Sequence, residues 1–238
     1  MTKIAYLTID DAPSEKFLDK FNFLEEHDIP AIWFAQGNYM EQRPEMIIEA
    51  IQRGAIFGNH SYTHPAFSAL TVDQCFAEIR ATDAVLNDLH DRAGVPRQHH
   101  FFRFPYGDKG KNESLPAEDS TKRHAEIQNY LRKLNYTLPD FADIKYDWFK
   151  PYLQDIDWYW TYDSHDYAPR MDEPPHGIDS PQKVLARLDE NVPDGWRGLN
   201  DDASADIILV HDFAGESHDL FKQIILRLIE KNIAIHRI

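Results

Sequence analysis

The chain is predicted to fold as a single α/β domain of about seven β/α units, whose parallel sheet is either closed or doubly wound, with an irregular (β/α) barrel favoured. Short apolar runs alternate with segments of helical period along its whole length. Its 238 residues match the size of barrels that form one domain, roughly 200–250 residues. No internal repeat, heptad array or flexible linker interrupts the rhythm. Strands alternating with helices imply a parallel sheet with the helices packed outside it.

The elements follow in order. Ile4 to Ile9 reads as a strand, and the next segment puts Phe17, Phe21 and Leu24 on one helical face. Strand Ala31 to Ala35, helix Pro44 to Gln52 and strand Ala55 to Phe57 come next. A helix opens at Thr71, where Thr71-Val72-Asp73-Gln74 has the form of a capping box and Phe76, Ile79, Leu86 and Leu89 make the buried stripe. Then come strand Phe101 to Phe104, a polar helix over Ala125 to Leu134, strand Trp158 to Tyr162, helix Pro181 to Asn191, strand Asp206 to Val210, helix Phe221 to Glu230 and a last strand, Ile233 to His236. Residues 107–157 are long for one crossover and carry Pro116, Pro139 and Pro151 with the aromatics Phe141, Tyr146, Trp148, Phe149 and Tyr152. Part of that stretch is expected to be an insertion, either a packed surface subdomain or a wall of a substrate groove. Residues 1–238 are otherwise expected to form one catalytic domain.

Composition narrows the function. With 42% hydrophobic residues the chain can bury a sizeable core, and 25 basic against 40 acidic residues leave a net charge of -15. Such a charge repels phosphate backbones and anionic membrane surfaces, which argues against nucleic acid as a partner. The single cysteine, Cys75, excludes an internal disulfide and a cysteine-based zinc site, so a metal would need histidine and carboxylate ligands. Cys75 itself is expected in the core. No run of about 18 apolar residues is present, so no membrane insertion is expected. Acidic Asp10 comes too early for an export signal, which fits a cytoplasmic protein or, equally, an exported one whose leader has been removed. Oligomeric state is not legible.

In β/α barrels the active site lies on the loops after the strand ends, and the unusual residues of this chain fall there. After the first strand stand Asp10 and Asp11, adjacent carboxylates that repel unless a cation or an arginine neutralises one of them. After the third come His60 and His64, a chelating i, i+4 spacing that would put both rings on one side of a helical turn. Two histidines with one carboxylate, from Asp10 or Asp11, and an open fourth position suit a catalytic zinc and its activated water. Arg103 stands in a Pro-Tyr-Gly turn after the fourth strand, where it can hold a carboxylate ionised. Asp163-Ser164-His165-Asp166-Tyr167 follows the fifth strand, and His211, a candidate general acid, follows the sixth.

Taken in order, TIDDAP, HSYTH, RFPYG, DSHDY and LVH, from Thr8 to His211, resemble the five motifs of the NodB-type polysaccharide deacetylases, carbohydrate esterase family four. The resemblance implies a distorted barrel and metal-dependent removal of N-acetyl groups, as acetate, from N-acetylglucosamine-containing glycans such as chitooligosaccharides or peptidoglycan. It makes Asp10 the base and Asp11, His60 and His64 the ligands of a divalent metal, in most cases Zn2+, with Co2+ or Ni2+ as substitutes. It further implies that Arg103 steadies Asp10, that the backbone N–H of Tyr106 helps bind the oxyanion and that Asp163 orients His211, the acid on the leaving amine. Leu209 would line the acetyl pocket. Ala12 replaces a usual glycine and would narrow the approach to Asp10, and Tyr167 replaces a usual tryptophan, near Trp158 and Trp160, in the substrate wall. An N-acetylated carbohydrate is the implied partner. One alternative keeps the site but takes a small non-polymeric amide; another is a sugar-binding protein without turnover.

Overall fold

A computed structural model describes residues 2–193, 198–214 and 217–238. Its elements run β1 (Ile4–Ala12), α1 (Phe17–Glu26), β2 (Ile32–Ala35), α2 (Gly37–Gln42), α3 (Pro44–Gln52), β3 (Ile56–Asn59), α4 (Val72–Ala93), α5 (Ala117–Lys133), β4 (Tyr162–Asp163), α6 (Pro181–Arg187), β5 (Asp206–His211), α7 (Ser217–Glu230) and β6 (Ala234–Ile235). All the strand pairs are parallel, in the order β3-β2-β1-β5-β4, with β6 beside the first residues of β1. The α/β class and the parallel sheet expected from the sequence are therefore present. The ladder runs open, and a few backbone bonds bridge its edges: Asn59 N–H to Phe101 O, Arg103 N–H to Asn59 O, Trp158 N–H to Phe102 O and Thr161 N–H to Ile207 O.

Three expected strands are shortened, the last of them, 233–236, to Ala234–Ile235. Residues 101–104 keep only one bridge, Asn59 to Phe102, because Pro105 has no N–H to continue a ladder. The 158–162 run leaves Phe102 after one bond and crosses to Ile207, so its ladder begins only at Tyr162. Helix α2 escaped sequence reading because six residues are too few to display a helical period. Helix α4 begins as expected: Thr71 Oγ1 accepts from Gln74 N–H and Gln74 Oε1 accepts from Thr71 N–H. No helix among the described residues is long and apolar enough to cross a membrane.

Strand alternation sorts the sheet into two faces. Leu7, Ile9, Trp33, Ala35, Ile208 and Val210 bury against Phe17, Leu24, Ile47, Leu86, Phe221 and Ile225 of the surrounding helices. The other face carries Ile32, Phe34 and Ile207, and it is filled by Phe101, Phe141, Phe149 and Trp158. Trp158 lies at the centre of this filling, with ring centroids 4.8 Å from Phe101, 4.9 Å from Phe141 and 5.8 Å from Phe34. The 107–157 stretch therefore supplies part of the core. A third cluster packs Phe67, Ile79, Ile127 and Leu131 around buried Cys75, which is in the core as expected.

Candidate active site

The inner face of β1 carries Thr8 and then Asp10, and that of β5 carries Leu209 and then His211; Asp10 and His211 are register partners. Alternation alone would send Asp11 towards the helices. The register shifts between Ile9 and Ala12, however, and Asp11 adopts a left-handed backbone at φ 65, so its carboxylate joins that of Asp10. Ala12 is fully buried in the helix-side core. Its methyl is core filling and does not narrow the approach to Asp10, contrary to expectation.

His60 and His64 leave the end of β3 on a loop, not on the helical turn that their spacing suggests. Ser61 and His64 have positive φ, and Glu78 of α4 accepts from the N–H groups of Tyr62 and Thr63. Local hydrogen bonding from a distant helix thus replaces helical bonding, yet the two Nε2 atoms lie 3.2 Å apart. Asp11 Oδ1 is 3.1 Å from His64 Nε2 and 3.8 Å from His60 Nε2, and it also accepts from Gln36 Nε2 at 2.8 Å.

A carbonyl can only accept, so the 2.8 Å contact of His60 Nδ1 with Arg103 O places the proton on Nδ1. Burial lowers the pKa of His60, favouring the neutral ring with its Nε2 lone pair aimed at the cluster. Burial works against the Asp11 carboxylate, yet the His64 hydrogen bond and the neighbouring histidines hold its pKa well below the ordinary range. One ligand atom from each of Asp11, His60 and His64 lies within 4.8 Å of the others. A proton on His64 can serve one pair of these acceptors, whereas a divalent cation would satisfy all three, and two imidazoles with one carboxylate are a donor set that zinc accepts. The residues fit the expected metal.

Arg103, fully buried, donates from Nη1 to Asp10 Oδ1 at 2.8 Å and to Thr8 Oγ1 at 2.7 Å, and from Nε to Trp158 O at 3.3 Å. Asp10 Oδ2 lies 3.6 Å from His60 Nε2. This carboxylate therefore faces the metal ligands while its other oxygen is tied to a guanidinium.

The partner of His211 is a correction. Its Nδ1 meets Asp166 Oδ1 at 2.7 Å, and its backbone N–H donates to Asp166 Oδ2 at 2.9 Å. Asp163 instead accepts from His165 N–H, and burial raises its pKa. The turn after β4 returns Asp166 rather than Asp163 to His211. Burial opposes the imidazolium, but the Asp166 charge and hydrogen bond, followed by Asp11 and Asp10, push the His211 pKa up to about 10. His211 therefore carries a proton at neutral pH.

The remaining expected residues border this cluster. Tyr106, with φ 59 and 70% exposed, sets its ring 4.6 Å from that of His64. Tyr167 packs edge-on to His211 at 5.3 Å, and its hydroxyl meets His165 Nδ1 at 3.1 Å. The ring of Trp160 lies 5.7 Å from the Arg103 guanidinium, and Leu209 is buried one inner-face position before His211. Sequence reading missed Gln36 and Asp166. Both stand just beyond strand ends, where the rule that found the others would also have found them.

Known proteins are similar to this chain in sequence or in fold. The family described as Polysaccharide deacetylase matches residues 1–136. A peptidoglycan-N-acetylglucosamine deacetylase from Bacillus cereus is 32% identical over 108 residues, 45% of this chain and 38% of that protein. The chain spans less than half the length of the curated relatives it matches. Among solved structures, a family 4 carbohydrate esterase from Streptomyces lividans in complex with acetate has a TM-score of 0.64 at 22% identity, covering 99% of this chain and 93% of its own. A family 4 pseudoenzyme from Bacillus anthracis has a TM-score of 0.60 at 17% identity, covering 98% of this chain and 63% of its own. Likeness at this identity speaks for the fold alone.

Proposed function

This chain belongs to the polysaccharide deacetylase family, and we propose that it is a metal-dependent hydrolase removing N-acetyl groups from N-acetylglucosamine-containing glycans. The observation that carries the reading is the meeting, at one end of the sheet, of a three-ligand cluster with a base tied to arginine and an acid tied to aspartate. A pseudoenzyme has a similar fold, so the activity rests on these side chains and not on the fold. Residues 1–238 are taken as one catalytic domain with an insertion within 107–157.

Asp11, His60 and His64 would hold the metal, Zn2+ by donor set. Bound there, a divalent cation would polarise the acetyl carbonyl and acidify a water. Asp10, positioned by Arg103, takes the proton of the attacking water as its oxygen bonds to the carbonyl carbon. The Tyr106 N–H contributes to the oxyanion site, and His211, held by Asp166, delivers its proton to the sugar nitrogen as the C–N bond breaks. The products are acetate and a free amino sugar. Leu209, Tyr167 and Trp160 form the walls beside the acetyl group.

The test is acetate release from chitooligosaccharides and from peptidoglycan glycan strands. Release should cease on chelation and return with Zn2+ or Co2+. Turnover that survives exhaustive metal removal would overturn the metal assignment, and turnover restricted to small non-polymeric amides would overturn the substrate class.

A further inference from the structure

Helix α1 buries one stripe, Phe17, Lys20, Phe21 and Leu24, at the i, i+3, i+4, i+7 spacing of a core face, and its second member is a lysine. The side chain is fully buried, as is that of its ion-pair partner Asp212. An apolar residue of the same length would fill the stripe without desolvating two charges, and a buried ion pair adds little net stability over such a filling. Its hydrogen bonds show what it holds. Lys20 Nζ donates to Asp212 Oδ1 and to Phe213 O, both at 2.6 Å. The Asp212 carboxylate also accepts from Ser14 Oγ on Oδ1 and from Ser14 N–H on Oδ2, both at 2.7 Å. Ser14 lies on the turn that runs from the base Asp10 into α1, and Asp212 and Phe213 directly follow the acid His211.

The ladder between β1 and β5 ends at the pair Asp10 and His211. Beyond it Asp212 N–H donates to Asp10 O at 2.8 Å, and from there the buried charges join the turn leaving β1 to the turn leaving β5, and both to α1. His211 is thereby held from two sides. Asp166 bonds to its Nδ1 and its backbone N–H, while the ring of Phe213, whose carbonyl Lys20 holds, stacks on the imidazole at 5.1 Å and 3°. Burial lowers the Lys20 pKa, and Asp212 and then Asp166 act in the opposite sense. The charge on Lys20 is thus sustained by the carboxylate that follows His211 and by the one bonded to it. We propose that Lys20 and Asp212 are positioning residues for catalysis, a buried clamp that fixes the acid His211 relative to the base Asp10. The kinetic arm of its test rests on the deacetylase reading; the spectroscopic arm does not need turnover.

The kinetic arm follows acetate release from chitotetraose by the zinc-loaded protein, by Lys20→Met, and by Lys20→Met combined with Asp212→Asn. Lys20→Met strands a buried carboxylate and should lower the denaturant midpoint; adding Asp212→Asn removes that charge and should bring the midpoint most of the way back. In the double variant kcat should nevertheless stay about 10–100-fold below that of the unsubstituted protein, with KM and zinc content unchanged. Ser14→Ala, which removes one bond to the same carboxylate and leaves the charges paired, should give a smaller loss of kcat, about threefold. The spectroscopic arm observes by NMR the His211 Nδ1–H proton bonded to Asp166, assigned by its loss in Asp166→Asn. That resonance should broaden through exchange with water in the double variant and, less, in Ser14→Ala. Full kcat in the double variant once its midpoint has recovered, or an unchanged resonance in both variants, would make the pair structural only and overturn the clamp. If no glycan releases acetate from the unsubstituted protein while the resonance still broadens, the clamp stands and the deacetylase reading fails.

Discussion

On one side of the site, Asp10, Asp11 and His211 leave strands paired on both edges, and His60 and His64 follow a strand end locked by backbone bonds. On the other side, the 107–160 stretch has no ladder before Tyr162; its rings are held by one another, by the Lys109 ion pairs and by the core beneath them. Charged chemistry is thus mounted on backbone geometry, which tolerates little movement, and the aromatic side on packing, which can vary without moving the charges. Chemistry and substrate choice are separable in such a design.

The largest effects should break the charged side. Asp10→Asn and His211→Ala are each expected to lower kcat by about 10²–10⁴-fold with metal content nearly intact, while His64→Ala lowers both. Steady-state acetate release together with elemental analysis checks this, and equal metal loss in all three would dissolve the division between ligands and proton carriers. Next, Trp158→Ala empties the space between Phe34, Phe101 and Phe141 and should cost about 3–5 kcal/mol in denaturant unfolding. A cost below about 1 kcal/mol would mean that Trp158 does not anchor this face of the core.

The smallest effect sharpens the comparison. The Asp166 charge and hydrogen bond keep His211 protonated above the ordinary imidazole range, so activity that needs this acid should be lost only on the alkaline side. Asp166→Asn removes the main raising influence, and the alkaline limb of kcat/KM should move down by about one to three pH units. Asp163→Asn should move that limb less, since Asp163 acts on His211 only through space and bonds to His165 N–H instead. A larger shift from Asp163→Asn would restore the pairing expected from the sequence.

Much of the charged side is legible in the amino-acid sequence. Alternating strands and helices place Asp10, His60, Arg103 and His211 at strand ends, and the order of the five motifs carries the family. What fails are choices between near neighbours. Asp163 and Asp166 are chemically equal in sequence, and only the course of the turn after β4 decides which reaches His211. The i, i+4 histidines suggest a helical turn, but Glu78, fourteen residues beyond His64 in the chain, organises a loop.

The sequence by itself determined the periodicity of the strands, the chemical types at their ends and the absence of a cysteine metal site, because these depend on residue identity and spacing alone. The tertiary structure decided that a register shift turns Asp11 beside Asp10, that the Ala12 methyl faces the core, and that the aromatic segment splits into a buried filling and a half-exposed stack. Each of these is set by contacts between residues far apart in the chain. Local patterns specify which way a backbone runs, while the choice among chemically equal neighbours falls to whichever fits the space left by the packed sheet.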